Sequence, residues 1–238
     1  MIDHAFLSSD LLLMTLTVGL YCLGGAIYRR THLPLLHPVL LTFVAVIVFL
    51  KLTDIPYERY REATGMLNFA LGLSVVAPGY LLFEQLGRVG GRRRLRGSLL
   101  PVAAATLAGC VAGVLSVVYI AMAFGAEREI LNSIAPKSVT VPIAVSVAGP
   151  LGGNVSVTSV VVFCVGIFGS IFGEWVLRRC GVRDPEARGF ALGAAAHGIG
   201  TARAIEIGAV EGALSGLAMA LMGLATALLM PLMEKYLY

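Results

Sequence analysis

Apolar residues fall into eight blocks, approximately 11–28, 35–52, 65–86, 97–125, 130–151, 154–177, 189–209 and 212–233, and short polar connections between them hold most of the charge. An α-helix needs roughly 20 mostly apolar residues to cross a bilayer core about 30 Å thick, so blocks of this length predict membrane spans. The pattern describes an all-α polytopic membrane protein forming one transmembrane domain over 1–238. The first block follows an acidic start with Asp3 and Asp10 and lacks a basic leader, which predicts a retained span rather than a signal peptide.

The polar positions decide how many blocks cross. With eight crossings and Arg29–Arg30 cytoplasmic, seven loop Lys/Arg lie inside and nine outside, against the positive-inside tendency. Block 130–151 carries Pro136, Lys137, Pro142 and Pro150. If it enters and leaves from the outer side as a re-entrant hairpin, the count becomes twelve inside and four outside, with Lys137 and Arg203 at membrane depth. The expected topology is therefore seven transmembrane helices plus a re-entrant hairpin, with eight spans as the alternative. It puts the amino end outside and the carboxyl end in the cytoplasm. In it the third block, Ala70 to Gly79, and the stretch Ala191 to Gly200 run in opposite directions while sharing Ala-Leu-Gly and a final Gly. Pro78-Gly79 and Gly198/Gly200 weaken the two helices near their centres, the pattern of an inverted repeat of interrupted helices; chance similarity of Ala/Gly-rich spans is the alternative.

Composition reinforces the membrane reading, since 58% of the 238 residues are hydrophobic and 13% charged, leaving no room for a soluble catalytic domain. Cys22, Cys110, Cys164 and Cys180 have no paired spacing, so neither a disulfide framework nor a metal site is expected. The net charge of +4 comes from arginines beside spans, where membrane orientation explains it without nucleic acid. Arg88 to Arg96 reads as an anchor at lipid headgroups. Gly109/Gly113, Gly166/Ser170 and Gly169/Gly173 form small-xxx-small pairs suited to close helix packing. No Ser-His-Asp set, phosphate loop or HExxH is present, so no enzyme and no cofactor are expected.

Candidate chemistry is confined to two stretches. In Asn132-Ser133-Ile134-Ala135-Pro136-Lys137-Ser138-Val139-Thr140-Val141-Pro142, two prolines six apart cannot sit in one continuous helix, so the backbone should open and place Lys137 at a tip. Ten residues past Glu127 at about 1.5 Å each bring it roughly 15 Å down, close to the midplane. Lys137, Ser138, Thr140 and Asn132 beside freed amide groups make a receptor for a small carboxylate. The alternative is a snorkelling lysine on a proline-shaped loop. In Ala195-Ala196-His197-Gly198-Ile199-Gly200-Thr201-Ala202-Arg203, Gly198 and Gly200 open the helix around His197 and Thr201. The imidazole either binds a carboxylate, carries a coupled proton, or is a core histidine bonded to a neighbouring helix. Arg203 and Glu206, three apart, are spaced to pair with each other, as are Glu174 and Arg178 at i, i+4.

These two stretches carry a resemblance. Pro136-Lys137-Ser138-Val139-Thr140-Val141-Pro142-Ile143-Ala144, followed by Leu151-Gly152-Gly153, and Ala195-Ala196-His197-Gly198-Ile199-Gly200-Thr201-Ala202 match runs of the LrgB/CidB family in the same order. His37-Pro38 and Glu211-Gly212-Ala213 extend the likeness over nearly the whole chain. The third block departs from it: the family's prolines are replaced by Leu73 and Leu81, and Pro78 appears instead. The resemblance implies a bacterial inner-membrane protein with a smaller LrgA/CidA-type membrane partner. It also implies one of two functions: transport of small monocarboxylates such as pyruvate, glycolate or glycerate, or an antiholin- or holin-like effect on murein hydrolase activity and autolysis. Membrane lysine and histidine beside broken helices favour recognition of one small anion over a lesion. A homo-oligomer stays open.

Overall fold

The computed structural model describes residues 7–31, 36, 38–74 and 92–237, and these fold almost entirely as helices. The chain divides into two compact units, 1–73 and 74–238. Pro78 and Gly79, with the rest of the third block beyond Ser74, lie outside the described residues.

In the first unit, α1 (Asp10–Thr31) and α2 (Pro38–Thr53) run antiparallel, followed by α3 (Tyr57–Ala63) and α4 (Gly65–Ser74). Gly24 lies against Pro38 and Leu41 at one end, and Leu13 packs on Ile55 and Ala63 at the other. There Tyr60 shares a 2.9 Å hydrogen bond with Thr17, and Arg59 pairs with Asp10.

The second unit contains α5 (Arg92–Ala123), α6 (Arg128–Ile134), α7 (Val141–Ala148), α8 (Val155–Arg179), α9 (Pro185–Ile207) and α10 (Ala209–Leu237). Helices α1, α5, α8 and α10 are long and apolar enough to cross a membrane. Only 11% of the most apolar window of α1 is buried and 22% of those of α5 and α8, against 50% for α10. Apolar residues facing outward on three helices suit lipid, and α10 is the one around which the second unit packs.

Helices α6 and α7, about 10 and 12 Å long, are too short to cross. The chain after α7 returns to where α6 began: Asn132 Nδ2 donates to the Leu151 carbonyl at 2.6 Å, and Asn154 N–H to Ser133 Oγ at 2.7 Å. The Asn154 amide also reaches Glu129 at 3.3 Å. Segment 128–154 is thus a helical hairpin, here called hairpin A.

Helix α9 departs from expectation. Block 189–209 was expected to cross, but α9 reverses at Ala196–His197 into two limbs, 185–195 and 198–207. A straight helix would hold Gly189 and Gly208 about 28 Å apart. Instead both lie against Glu211, and Gly193 and Thr201 both lie against Ser215. A Cβ on Gly200 would stand 2.6 Å from the Leu192 carbonyl, eight residues back. Segment 185–207 is thus a second hairpin, B, whose base lies at the opposite end of α10 from that of A. The limb 185–195 runs parallel to α10, whose backbone it touches at Gly189 and Gly193; a Cβ on Gly193 would lie 2.8 Å from Ser215 Cα. The expected carboxyl-terminal placement changes too. The far end of α10 carries Glu234 to Arg128 at the base of hairpin A, so it lies opposite the 178–188 loop rather than beside it.

Along α8 the order is plain. Asn154 sits at the base of A, Val162 packs with Val139 and Ala144 of A, and Gly166, Gly169 and Gly173 meet His197, Ala196 and Leu192 of B. Helix α10 repeats the order in reverse, from Glu211 at the base of B to Glu234 at the base of A. The two tips meet at Val162.

Candidate functional site

The tip of hairpin A is built by its prolines. Pro136 has no N–H to continue α6, and Pro142 occupies the first turn of α7, where a missing N–H costs nothing. Residues 135–140 therefore turn between them, with Lys137 at the tip. Its Nζ donates to Ser138 Oγ at 3.2 Å. Among the described residues no carboxylate lies within ion-pair distance of it, whereas the other cations set between helices, Arg188 and Arg203, are paired. Thr140 precedes α7 in extended conformation, so the amino end of α7 opens at the tip. Asn132 is placed elsewhere: fully buried, it closes the base of the hairpin on Leu151 together with Ser133, which donates to the Glu129 carbonyl at 2.6 Å.

The chain at the tip of hairpin B bends at two non-glycine residues. The break was expected at Gly198 and Gly200, but it falls on Ala196 (φ −130°, ψ 17°) and on His197 (φ 42°, ψ −133°). A left-handed φ on a non-glycine residue costs on the order of 1–3 kcal/mol and persists only where its surroundings hold it. His197 is held: buried, it places Nε2 2.9 Å from the Val162 carbonyl of α8, and since a carbonyl only accepts, Nε2 carries the proton. Gly166 makes the approach feasible, because a Cβ there would lie 2.7 Å from the imidazole Cε1. Gly200 permits the reversal, while Gly198 is exposed with only Met219 sulfur nearby. Thr201 donates to the His197 carbonyl at 2.8 Å and meets Ser215 Oγ at 2.9 Å, tying the outgoing limb to α10.

At the base of B, Arg203 donates to Glu206 at 2.8 Å and to Glu174 of α8 at 2.9 Å, and Glu174 also pairs with Arg178. Arg188 reaches Glu211 of α10 at 3.5 Å. Each limb of B is thus anchored to a different crossing helix by an ion pair.

The stretches that hold Lys137 and His197 share one core, in which Val139, Val162, Cys110 and Met222 are buried together with Ala194 against them. No hydrogen bond joins Lys137 or Ser138 to His197 or Thr201; an apolar layer separates them in this state. Beside the tip of A a tight cleft between α5 and α10, with room for about one water molecule, is lined by Gly109, Cys110, Gly113, Ser138, Met222 and Thr226 among others. Cys110, Gly113 and Thr226 had no place among the expected site residues. Only the Gly109/Gly113 spacing signalled them, as packing; nothing local marks Thr226 in an apolar helix.

The second unit is thus a helical assembly with two short hairpins and, at the tip of one, a lysine that no carboxylate answers among the described residues. The family follows from comparison: residues 17–236 match the LrgB-like family, and the chain belongs to it. It is 34% identical over 211 residues to YxaC of Bacillus subtilis, covering 89% of each chain. It is 33% identical over 223 residues to a Haemophilus influenzae protein, covering 94% of each. To the holin-like protein CidB of Staphylococcus epidermidis it is 28% identical over 227 residues, covering 95% of this chain and 96% of that one. No solved structure matches it.

Proposed function

We propose that this protein moves a small monocarboxylate, of the 2-keto or 2-hydroxy type represented by pyruvate, glycolate and glycerate, across the bacterial inner membrane. One observation carries the reading: Lys137 stands at a re-entrant tip with one neutral hydroxyl and no carboxylate as its partner. Placing such a charge at membrane depth costs about 2.5–3.5 kcal/mol on insertion scales, and an anionic solute offsets that cost. The amino ends of α7 and of limb 198–207 open at the two tips, each adding roughly half a positive charge. Alternate opening at the bases of A and B would expose the cleft to one face at a time. Ser138 and Thr140 supply hydroxyls at the site, and His197 and Thr201 hold the opposing tip.

In the proposed orientation, the basic stretches 88–96 and 178–188 face the cytoplasm. Hairpin A and the carboxyl end then lie outside. Relative to the expected topology only Lys235 changes sides, giving eleven loop cations inside and five outside. A smaller LrgA/CidA-type membrane protein is the proposed partner, and self-association is a further arrangement open to the chain.

Uptake of labelled pyruvate and glycolate into proteoliposomes is the test. Wild type accumulates label, and Lys137→Ala loses it by roughly ten- to a hundredfold, the worth of a hydrogen bond to a charged group. Uptake unaffected by Lys137→Ala would dismiss the site. A second reading rests on relatives that bear the name holin-like protein. Absence of uptake, with autolysis control restored by this chain in a deletion strain, would favour it.

A further inference from the structure

The first unit has a groove of its own. Two adjoining hollows of about 420 and 360 Å³ share Ile47, Leu50 and Tyr57 and run on into one another along α2. From Lys51 to Val39 the groove follows about 18 Å of helix, with Tyr21 of α1 on one side and Tyr57 and Tyr60 of α3 on the other. Its wall is apolar because two of its hydroxyls are engaged elsewhere: Thr42 donates to the Pro38 carbonyl at 2.7 Å, and Tyr60 shares its 2.9 Å bond with Thr17.

Charge is confined to one end. Lys51 and Asp54 both line the mouth, and among the described residues neither has an ion-pair partner, whereas Arg59 and Asp10 at the same end of the unit are paired. Asp54 also holds a left-handed backbone (φ 52°) at the carboxyl end of α2, where the Ile55 N–H closes on the Leu50 carbonyl at 3.2 Å. Glycine or asparagine is the usual residue in such a cap. An aspartate keeps a carboxylate at the mouth at some cost in backbone strain.

We infer that this groove binds one phospholipid with a zwitterionic head: Lys51 takes the phosphate, Asp54 and the negative end of α2 take the amine, and an acyl chain lies along α2 between Tyr21 and Tyr60. Length favours a lipid over a helix of another chain. A bilayer core about 30 Å thick gives a leaflet about 15 Å deep, which the groove matches, whereas a crossing helix needs a seat about twice as long. Tyr57, 62% exposed beside the mouth, supplies the amphipathic ring that collects at headgroup level. The site is independent of Lys137 and of the transport reading.

Full-length protein in mild detergent, offered phosphatidylethanolamine and phosphatidylglycerol in equal amounts, tests this by native mass spectrometry of the retained lipid. Wild type should retain phosphatidylethanolamine in preference to phosphatidylglycerol, which has the phosphate but no amine. Asp54→Asn tolerates the same backbone and should reduce that preference by about two- to fivefold, the worth of one exposed ion pair. Lys51→Gln should weaken retention of both lipids alike. Ile47→Trp fills the groove where the two hollows join; its side chain is 42% exposed, so the thermal midpoint should stay near wild type while one lipid fewer is retained. No lipid on the wild-type chain, or the same retention and preference in all three variants, would overturn the inference. So would a dimer that Ile47→Trp dissociates, since a second copy would then be the occupant.

Discussion

The reversal of α9 can be tested by a distance. A single crossing helix from Pro185 to Ile207 puts residues 187 and 209, at its two ends, about 33 Å apart. In the folded-back arrangement both flank the contact between Gly189 and Glu211, where a Cβ on Gly189 would lie 2.6 Å from Glu211 Cα. That contact holds the two Cα atoms within about 4–5 Å, and each labelled residue lies two steps of at most 3.8 Å away. The 187–209 separation therefore cannot exceed about 20 Å. Ala187→Cys and Ala209→Cys place spin labels at exposed positions, in a background with Cys22, Cys164 and Cys180 replaced and Cys110 left buried. Pulsed dipolar spectroscopy on reconstituted protein should give a short distance. A distribution centred near 33 Å or beyond would refute the second hairpin and its meeting with the first. Sidedness gives an independent reading: cysteines at Val182 and Ala209 should react from one face of the membrane, and a cysteine at Lys235 from the other.

Other consequences are simpler to state. Gly193→Ala sets a methyl into the Ser215 backbone, which cannot move aside; it should lower the thermal midpoint in detergent by the equivalent of about 1–3 kcal/mol, whereas Gly198→Ala should be nearly silent. Ser133→Ala leaves the Asn154 N–H at the base of hairpin A without its acceptor and should cost on the order of 1–3 kcal/mol, read as a lower denaturation midpoint. His197→Ala removes the bond that holds the strained tip to α8, so proteolysis or hydrogen exchange should rise locally at 194–201 while helices α5 and α10 keep their protection.

Much of hairpin A was legible in the sequence, because its determinants are local. Two prolines six residues apart forbid one helix whatever surrounds them, and the cation counts on either side then fix where the chain must return. Hairpin B was not legible, since an Ala/Gly-rich block of the right length and hydrophobicity reads as a span. What folds it back is tertiary: limbs thin enough to touch the backbone of α10 at Gly189 and Gly193, and a histidine whose unusual backbone is held by a carbonyl 35 residues earlier. His197 drew attention as an ionisable group in an apolar stretch, and the structure gives it an architectural task at the tip.

The distribution of charge in the second unit separates what holds the fold from what the fold is for. Arginines at the base of hairpin B are answered by carboxylates on α8 and α10, Arg188 by Glu211 and Arg203 by Glu174, with Glu206 of the hairpin itself a second partner of Arg203. A guanidinium suits that task, because its planar fork meets two oxygens at once and cannot lose its proton. At the tip of hairpin A the cation is instead a lysine, a compact point charge with three rotatable donors, one of them given to a neutral hydroxyl. A carboxylate placed beside it would have neutralised it permanently and raised the barrier to any incoming anion. Leaving it unanswered lowers stability, a cost that the proposed anionic substrate would offset. Lys137→Arg should therefore not rescue Lys137→Ala in uptake, since a planar fork does not reproduce the compact ammonium held beside the Ser138 hydroxyl.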